Sequence, residues 1–450
     1  MFLFEHNNFI IPKILRGVFQ SLIFISVVYP RILYFPVFGV GVSIYTLSTI
    51  FTLLAAIMAL LSVRKLKQSW FRGVVKCKWI VIWIVAFLFW QCCSDITGRY
   101  AAESFSITIR NALYTTSHFL IATVFFVDPR CRIGALFQFM FGTIIVMFVG
   151  AIEAAFGQSI YVIFGIPLSD LGDRAVVFDL TQGIIRDGVH RCQSVFLHPI
   201  VYGQFIGAVI PIIISYIKVY KKNILKPALI AVLVLSPAAM WTSGSRSPLF
   251  VALASIALYW GIGWLNTKGN HKFRWASIGA FLIAVGTLTY FSDEIVNLVQ
   301  GRTATEISSN QSRSTQLALG IKALENNPLF GLGDGLAPSV AGLVGGGVLT
   351  IDNLYLSTAV DFGYGGVICF IGFLGATLIG GIKSGANNQY IRGQTAMAFG
   401  LMVGFLVLSI NANLTYIFWA AGLIVGANCD VGHNDIKKGG QLCPSGGAFP

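Results

Sequence analysis

Thr350-Ile351-Asp352-Asn353-Leu354-Tyr355 closes a long polar stretch of the chain and opens an apolar one. Upstream, 293–351 carries Arg302, Arg313, the run Asn327-Pro328-Leu329-Phe330-Gly331-Leu332-Gly333 and the glycine-rich 342–347. Downstream, 352–381 is apolar and holds Gly363 and Gly366. An apolar run of that length crosses the ~30 Å hydrocarbon layer as a helix. Polar groups gathered where a membrane helix re-enters are the setting for chemistry on a lipid-borne substrate, so 293–351 reads as an active-site loop.

Working outward, the same pattern covers the chain. With 450 residues, 56% hydrophobic, 11% charged and a mean hydropathy of +0.76, its solvent is mostly lipid. The reading is an all-α, polytopic integral membrane protein of about twelve spans: 14–33, 38–62, 79–97, 111–127, 134–156, 196–217, 227–242, 248–265, 275–292, 352–381, 394–410 and 412–428. These divide into a scaffold of about five spans (1–158), a first outer loop (159–195), a central bundle of four (196–292), the loop 293–351, three C-terminal spans (352–428) and a tail expected to be disordered (429–450).

A net charge of +13 invites a nucleic-acid reading, which the placement of the charges excludes. With the N-terminus inside, 21 of the 31 basic residues fall on the inner side, so both termini are expected in the cytoplasm. The inner set holds fourteen lysines and seven arginines, the outer set nine arginines and only Lys322. A guanidinium fork matches phosphate oxygens bidentately, whereas an ammonium is a hydrated point charge. The outer arginines therefore suggest an anionic, phosphorylated ligand; the plainer alternative is pairing with outer carboxylates. Of eight cysteines only Cys192 falls clearly outside, so no disulfide framework follows. The first apolar run has no cleavage pattern and should stay as an anchor.

Individual residues carry two readings each. Glu153, near the outer end of the fifth span, suggests a structural partner before a catalyst. Arg191 precedes Phe196-Leu197-His198-Pro199, where Pro199 suits a first helical turn. His198 then either caps that helix or meets a sugar hydroxyl or a proton. Arg246, within Ser245-Arg246-Ser247, stands at a helix N-terminus and so forms an anion site or a headgroup anchor. The segment 312–326 reads as an interfacial helix with Leu317, Ile321 and Leu324 on one face and Arg313 on the same stripe. The glycines 342–347 suggest a mobile lid rather than a phosphate cradle. Asp352 is either the N-cap of the following helix or a general base, with Asp361 a second acidic candidate and Arg302, Asn353 and Tyr355 secondary contacts.

Taken in order, these motifs resemble the O-antigen ligase and O-antigen polymerase superfamily. They are the arginine before Phe-x-x-Pro (Arg191, Phe196, Pro199), Ser245-Arg246-Ser247, and Arg-x(13)-Asn-Pro-Leu-x-Gly-x-Gly from Arg313 to Gly333. The superfamily's ligases carry His-[Asn/Ser/Gln]-x9-Gly-x-x-[Gly/Thr/Tyr]; Asn353, Gly363 and Gly366 match that spacing, with Asp352 at the histidine position.

The resemblance implies a GT-C-like membrane glycosyltransferase on the outer face of the bacterial inner membrane. Its donor would be a polyprenyl-diphosphate-linked oligosaccharide, and it would need no nucleotide sugar. The missing histidine tilts the expectation toward a repeat-unit polymerase of O-antigen or exopolysaccharide over a lipopolysaccharide-forming ligase. Arg191, Arg246 and Arg313 are then the expected diphosphate donors, Asp352 the first base and His198 the second. No metal-ligand spacing appears, so action without metal or other cofactor is expected, with membrane lipid and a chain-length regulator or other assembly proteins as partners. A lipid-linked-oligosaccharide transporter or flippase remains the alternative of another class, since twelve spans are common there; against it, the polar residues collect on one side rather than at midplane. A non-catalytic scaffold for polysaccharide export is the third.

Overall fold

The computed structural model describes residues 11–30, 33, 35–37, 40–98, 100–164, 184–186, 188–219, 224–265, 304–345, 348–409 and 411–429. Helix α1 (Lys13–Val28) is followed by a hairpin, β1 (Phe35–Val37) and β2 (Val40–Val42). Then come α2 (Ile44–Ser62), α3 (Arg64–Lys76), α4 (Lys78–Thr97), α5 (Ala101–Tyr114), α6 (Thr116–Phe125), α7 (Pro129–Phe156) and α8 (Ile160–Ile163). A second hairpin, β3 (Ile185–Arg186) and β4 (Val189–His190), leads into α9 (Pro199–Val219), α10 (Lys226–Thr242) and α11 (Ser247–Leu265). After these come α12 (Ala304–Asn326), α13 (Ala337–Ala341), the hairpin β5 (Leu343–Gly345) and β6 (Val348–Thr350), α14 (Leu354–Gly385), α15 (Gln389–Gly404) and α16 (Leu414–Ala427).

Among the described residues, six helices are long and apolar enough to cross a membrane: α2, α4, α7, α9, α11 and α14; α10 and α16 are shorter apolar helices. The expected ninth span, 275–292, lies outside the described residues, as do Arg302, much of the first outer loop and the tail beyond Cys429. Among the described residues, the all-α expectation is amended only by three two-stranded antiparallel hairpins.

Two expected spans are broken. The run 111–127 is interrupted at Thr115 (φ −124°, ψ −70°), which separates α5 from α6. The Tyr114 carbonyl there accepts the Thr415 hydroxyl at 3.0 Å. The run 352–381 is interrupted at Gly363 (φ 67°, ψ −172°).

Side-chain caps set several helix starts: Ser43 for α2, Asp128 beside Pro129 for α7 and Asn388 for α15. The most enclosed span is α9, which packs against α11 and α15. Lipid offers no hydrophobic gain to helices already in it, so small residues that admit close backbone approach hold them together. A methyl group on Gly207 would lie 2.5 Å from the Pro248 carbonyl, and one on Gly400 would strike Ser255. Phe51, Leu54, Met58, Val85, Phe89, Ile368 and Ile371 line the outside, where the solvent is hydrocarbon.

Hydrogen bonds assign the two ends of the bundle. At one end, Ser94 of α4 bonds the Asp361 carbonyl, Glu153 of α7 bonds the turn before α9, and Gln204 of α9 bonds the Gly404 carbonyl at the end of α15. At the other end, Tyr390 of α15 bonds the Arg132 carbonyl of α7, and Trp70 of α3 bonds Thr123 of α6. The functional candidates among the described residues belong to the first end.

Candidate active site

Arg191 is positioned by two segments. Its N–H donates to the Ile184 carbonyl at 2.9 Å, and its Nε to the Ser243 carbonyl at 2.8 Å. Its aliphatic stem lies on Gly244 (φ 60°), where an added methyl would come within 2.8 Å of Nε and 2.9 Å of Cγ. The next residue, Cys192, donates its N–H to the Thr242 carbonyl at 2.9 Å. The turn Ser243-Gly244-Ser245-Arg246 that carries this side chain also presents Arg246 at the start of α11. Two of the three expected arginines are thus brought to one turn.

The turn after Arg191 is held by Glu153. Its Oε2 accepts the N–H groups of Gln193 (3.0 Å) and Ser194 (2.5 Å), and His190 Nε2 lies 3.2 Å from Oε1. Ser194 is the one described non-glycine residue with positive φ (52°), and its hydroxyl donates to the Val146 carbonyl at 2.8 Å. A buried carboxylate that accepts backbone donors is how such a conformation persists.

His198 Nδ1 accepts the Ile200 N–H at 3.1 Å, so the ring's own proton sits on Nε2. Burial, with the Arg191 charge adding to it, holds its pKa down to about 3. His198 is therefore a neutral cap of α9 that offers one N–H donor.

Asp352 lies between β6 and α14, 3.9 Å from Arg313 Nε, with both side chains rather more than one-third exposed. Burial raises its pKa and the Arg313 charge opposes the rise. It does not cap the helix. That role falls to Asn353, whose side chain accepts the Leu356 N–H at 3.1 Å, which leaves the Asp352 carboxylate available to Arg313. The backbone of Asp352 is fixed by Gln316, one turn beyond Arg313 on α12: its Oε1 accepts the Asp352 N–H at 3.0 Å and its Nε2 donates to the Thr350 carbonyl at 2.9 Å. Gln316 was missed in the sequence because a polar residue in a polar helix gives no signal until its partners are known.

Helix α12 packs through a face centred on Gly320. Gln316, Gly320, Ala323 and Leu324 are buried while Leu317 and Ile321 are half exposed, because Gly320 admits Leu356 of α14 at close range. Within the glycine-rich 342–347, Leu343–Gly345 form β5, whose Leu343↔Thr350 pairing with β6 delivers the chain to Asp352.

Two further candidates are committed to the frame. Tyr355 donates its hydroxyl to the Met402 carbonyl at 2.8 Å, which ties α14 to α15. Asp361 is buried; its Oδ1 accepts the Ala337 N–H at 2.7 Å and its Oδ2 the Ser357 hydroxyl at 3.4 Å. It anchors the run 327–335, which is threaded into the break of α14. Leu332 and Gly333 donate to the carbonyls of Val360 and Asp361 (3.0 and 2.9 Å), and Tyr364 donates to that of Pro328 (2.8 Å). From α4, Ser94 bonds the carbonyls of Phe330 and Asp361, and Trp90 bonds that of Phe362 while stacking on Phe330. Asp334 closes the run: it accepts Thr108 at 3.0 Å and Asn111 at 2.9 Å, and burial pushes its carboxyl up to about 6. The motif glycines Gly331 and Gly363 thus let two backbones cross where helix hydrogen bonds are missing.

The arginine turn and the carboxylate are joined by hydrogen bonds. Gln204 donates to Ser247 beside Arg246 (3.4 Å) and to the Gly404 carbonyl (3.1 Å); the next carbonyl, of Phe405, accepts the Leu354 N–H at 3.0 Å, two residues from Asp352. Residues 230–371, which hold Arg246, Arg313, the 327–335 run and Asp352, match the family described as O-antigen ligase. The matched segment, about a third of the chain, is similar to that family. No curated protein matches the chain.

Within the matched segment, Asp352 stands where the ligase pattern has histidine, and the Asn353-x9-Gly363 spacing has a structural meaning: one helix cap followed by one helix break. Arg191 and His198 lie upstream of the match and are supplied by the approach to α9.

Proposed function

We propose that the protein is a repeat-unit polymerase, which transfers a glycan from polyprenyl diphosphate to a sugar hydroxyl of a second lipid-linked unit on the outer face of the bacterial inner membrane. The observation that supports it best is the Arg313–Asp352 pair, which sets a carboxylate, in place of the ligase histidine, at the mouth of α14. In this reading the acceptor oxygen attacks the anomeric carbon of the donor and its proton passes to Asp352. The bond from that carbon to the diphosphate breaks, and the electron pair leaves with the diphosphate. Arg191 and Arg246, fixed in advance at one turn, meet the developing charge; preorganised donors of this kind cost nothing to reorient during the reaction. Neutral His198 contributes its Nε2 proton as a donor to a sugar or phosphate oxygen, and the Arg313 charge favours the ionised form of Asp352 against burial.

Purified protein given only a defined lipid-diphosphate oligosaccharide should yield a ladder of longer lipid-linked products. The match to the O-antigen ligase family favours a second reading, transfer to lipid A-core; no reaction until that acceptor is added would establish it in place of the first. Unchanged extension by an Arg191→Ala/Arg246→Ala variant would refute the diphosphate assignment.

A further inference from the structure

At the end of the bundle away from the active site, α3 connects α2 to α4. The 20 residues of α4 separate the two ends by about 30 Å. From Arg64 to Lys78 the sequence has six basic residues (Arg64, Lys65, Lys67, Arg72, Lys76, Lys78) and no acidic one. The inward face of α3 is spent on packing: Leu66, Ser69 and Gly73 are buried, Gly73 lies against the Val425 carbonyl of α16, and Trp70 Nε1 donates to Thr123 at 3.0 Å. The outward face presents Arg64, Lys65 and Lys67 together with Phe71 (60% exposed) and Val75.

Between α2 and α3 runs a groove of about 230 Å³ lined by Ile57, Leu60, Leu61, Lys67 and Trp70. It continues the exposed apolar track of Phe51, Leu54 and Met58 along α2. An apolar groove that opens to hydrocarbon and has Lys67 in its wall, with Arg64 one turn earlier on the same helix, has the polarity of a phospholipid. Topological retention of basic residues explains how many lie in this segment, but not why one of them lines an apolar groove.

We propose that this groove is a binding site for an anionic phospholipid, with one acyl chain between α2 and α3 and the phosphate held by Lys67 and Arg64. The occupant is a membrane lipid rather than a free anion, because four of the five lining residues are apolar and a soluble phosphate leaves them uncovered. The site is separate from the reaction and does not rest on the polymerase reading.

The test is native mass spectrometry of the detergent-solubilised full chain, titrated with phosphatidylglycerol or with phosphatidylcholine of the same acyl chains. Phosphatidylglycerol should bind more tightly. Arg64→Gln/Lys67→Gln should weaken it about 25-fold, on the basis of roughly fivefold per basic residue at a membrane surface, and leave phosphatidylcholine unchanged. Leu60→Trp, which fills the groove without altering charge, should weaken both lipids. Equal affinity of the wild type for the two lipids, an unchanged double variant, or displacement of phosphatidylglycerol by glycerol phosphate at equal concentration would each overturn the proposal. Arg64 and Lys67 are exposed, so their variants keep the fold, and they decide the matter alone if Leu60→Trp does not fold.

Discussion

Gly363→Ala tests the part of the structure on which the site's shape depends. At φ 67° and ψ −172° the position belongs to a region open essentially to glycine, and a side chain there costs about 1–3 kcal/mol. The added methyl would fall against the Leu329 carbonyl and 2.8 Å from the Gly331 nitrogen. Both are backbone atoms stitched to the two sides of the break, so neither can swing away like a side-chain tip. Relief requires parting the strands, with loss of at least the Tyr364–Pro328 hydrogen bond, worth about 1 kcal/mol net. The total is about 2–4 kcal/mol, large against the usual margin of stability. Gly375, in the same helix and with nothing within 4 Å of an added methyl, is the control; alanine there should be neutral or stabilise by up to ~1 kcal/mol. Thermal unfolding of the two detergent-solubilised variants, followed by size-exclusion fluorescence, should show a fall of several degrees for Gly363→Ala alone. Equal melting of both variants refutes the account of the broken helix.

Three other outcomes are expected. If ionised Asp352 is the base, glycan transfer falls as pH drops through a pKa that burial has raised; since Arg313 opposes that rise, Arg313→Ala should move the acid limb of the rate profile to higher pH, and an unmoved limb would separate Arg313 from Asp352. Arg191→Lys keeps the charge but loses the planar fork and the Nε bond to Ser243; transfer should drop about 10²-fold or more with little change in melting, and full activity would remove Arg191 from the site. Asp334 has a folded pKa of about 6 against 3.8, so the native state holds its proton longer than the unfolded chain and the stability it confers is lost as pH rises from 3.8 through about 6. Asp334→Asn should flatten that part of the wild-type stability curve, and superimposable curves would exclude the effect.

What the sequence disclosed follows from which signals are local. Apolar run length identified the membrane class and most helix positions, because crossing hydrocarbon is a property of a contiguous segment. Arg191 and Arg246 stood out as guanidinium groups beside helix starts, and the structure brings them to one turn. Asp352 and Arg313, 39 residues apart in number, meet because Gln316 and the β5–β6 hairpin bring the strand end to α12, which no spacing rule expresses. The same limit explains Asp361 and Tyr355: both looked chemical by type and depth, and both bond backbone groups of distant elements. The break at Gly363 was written as a motif glycine, but its reason, a crossing with 327–335, is a tertiary fact.

The threading of 327–335 between α4 and α14 bears on how such a segment can be inherited. Trp90 and Ser94, which brace the crossing, and Arg191, which lies on Gly244, all come from before residue 230, where the superfamily match begins. A chimera that transplants 230–371 onto another bundle would carry the carboxylate and its arginine into a host without their supports. Exchange between relatives should therefore preserve activity only when the Trp90–Ser94 and Arg191 regions travel with the segment, so the unit of heredity is wider than the unit of resemblance.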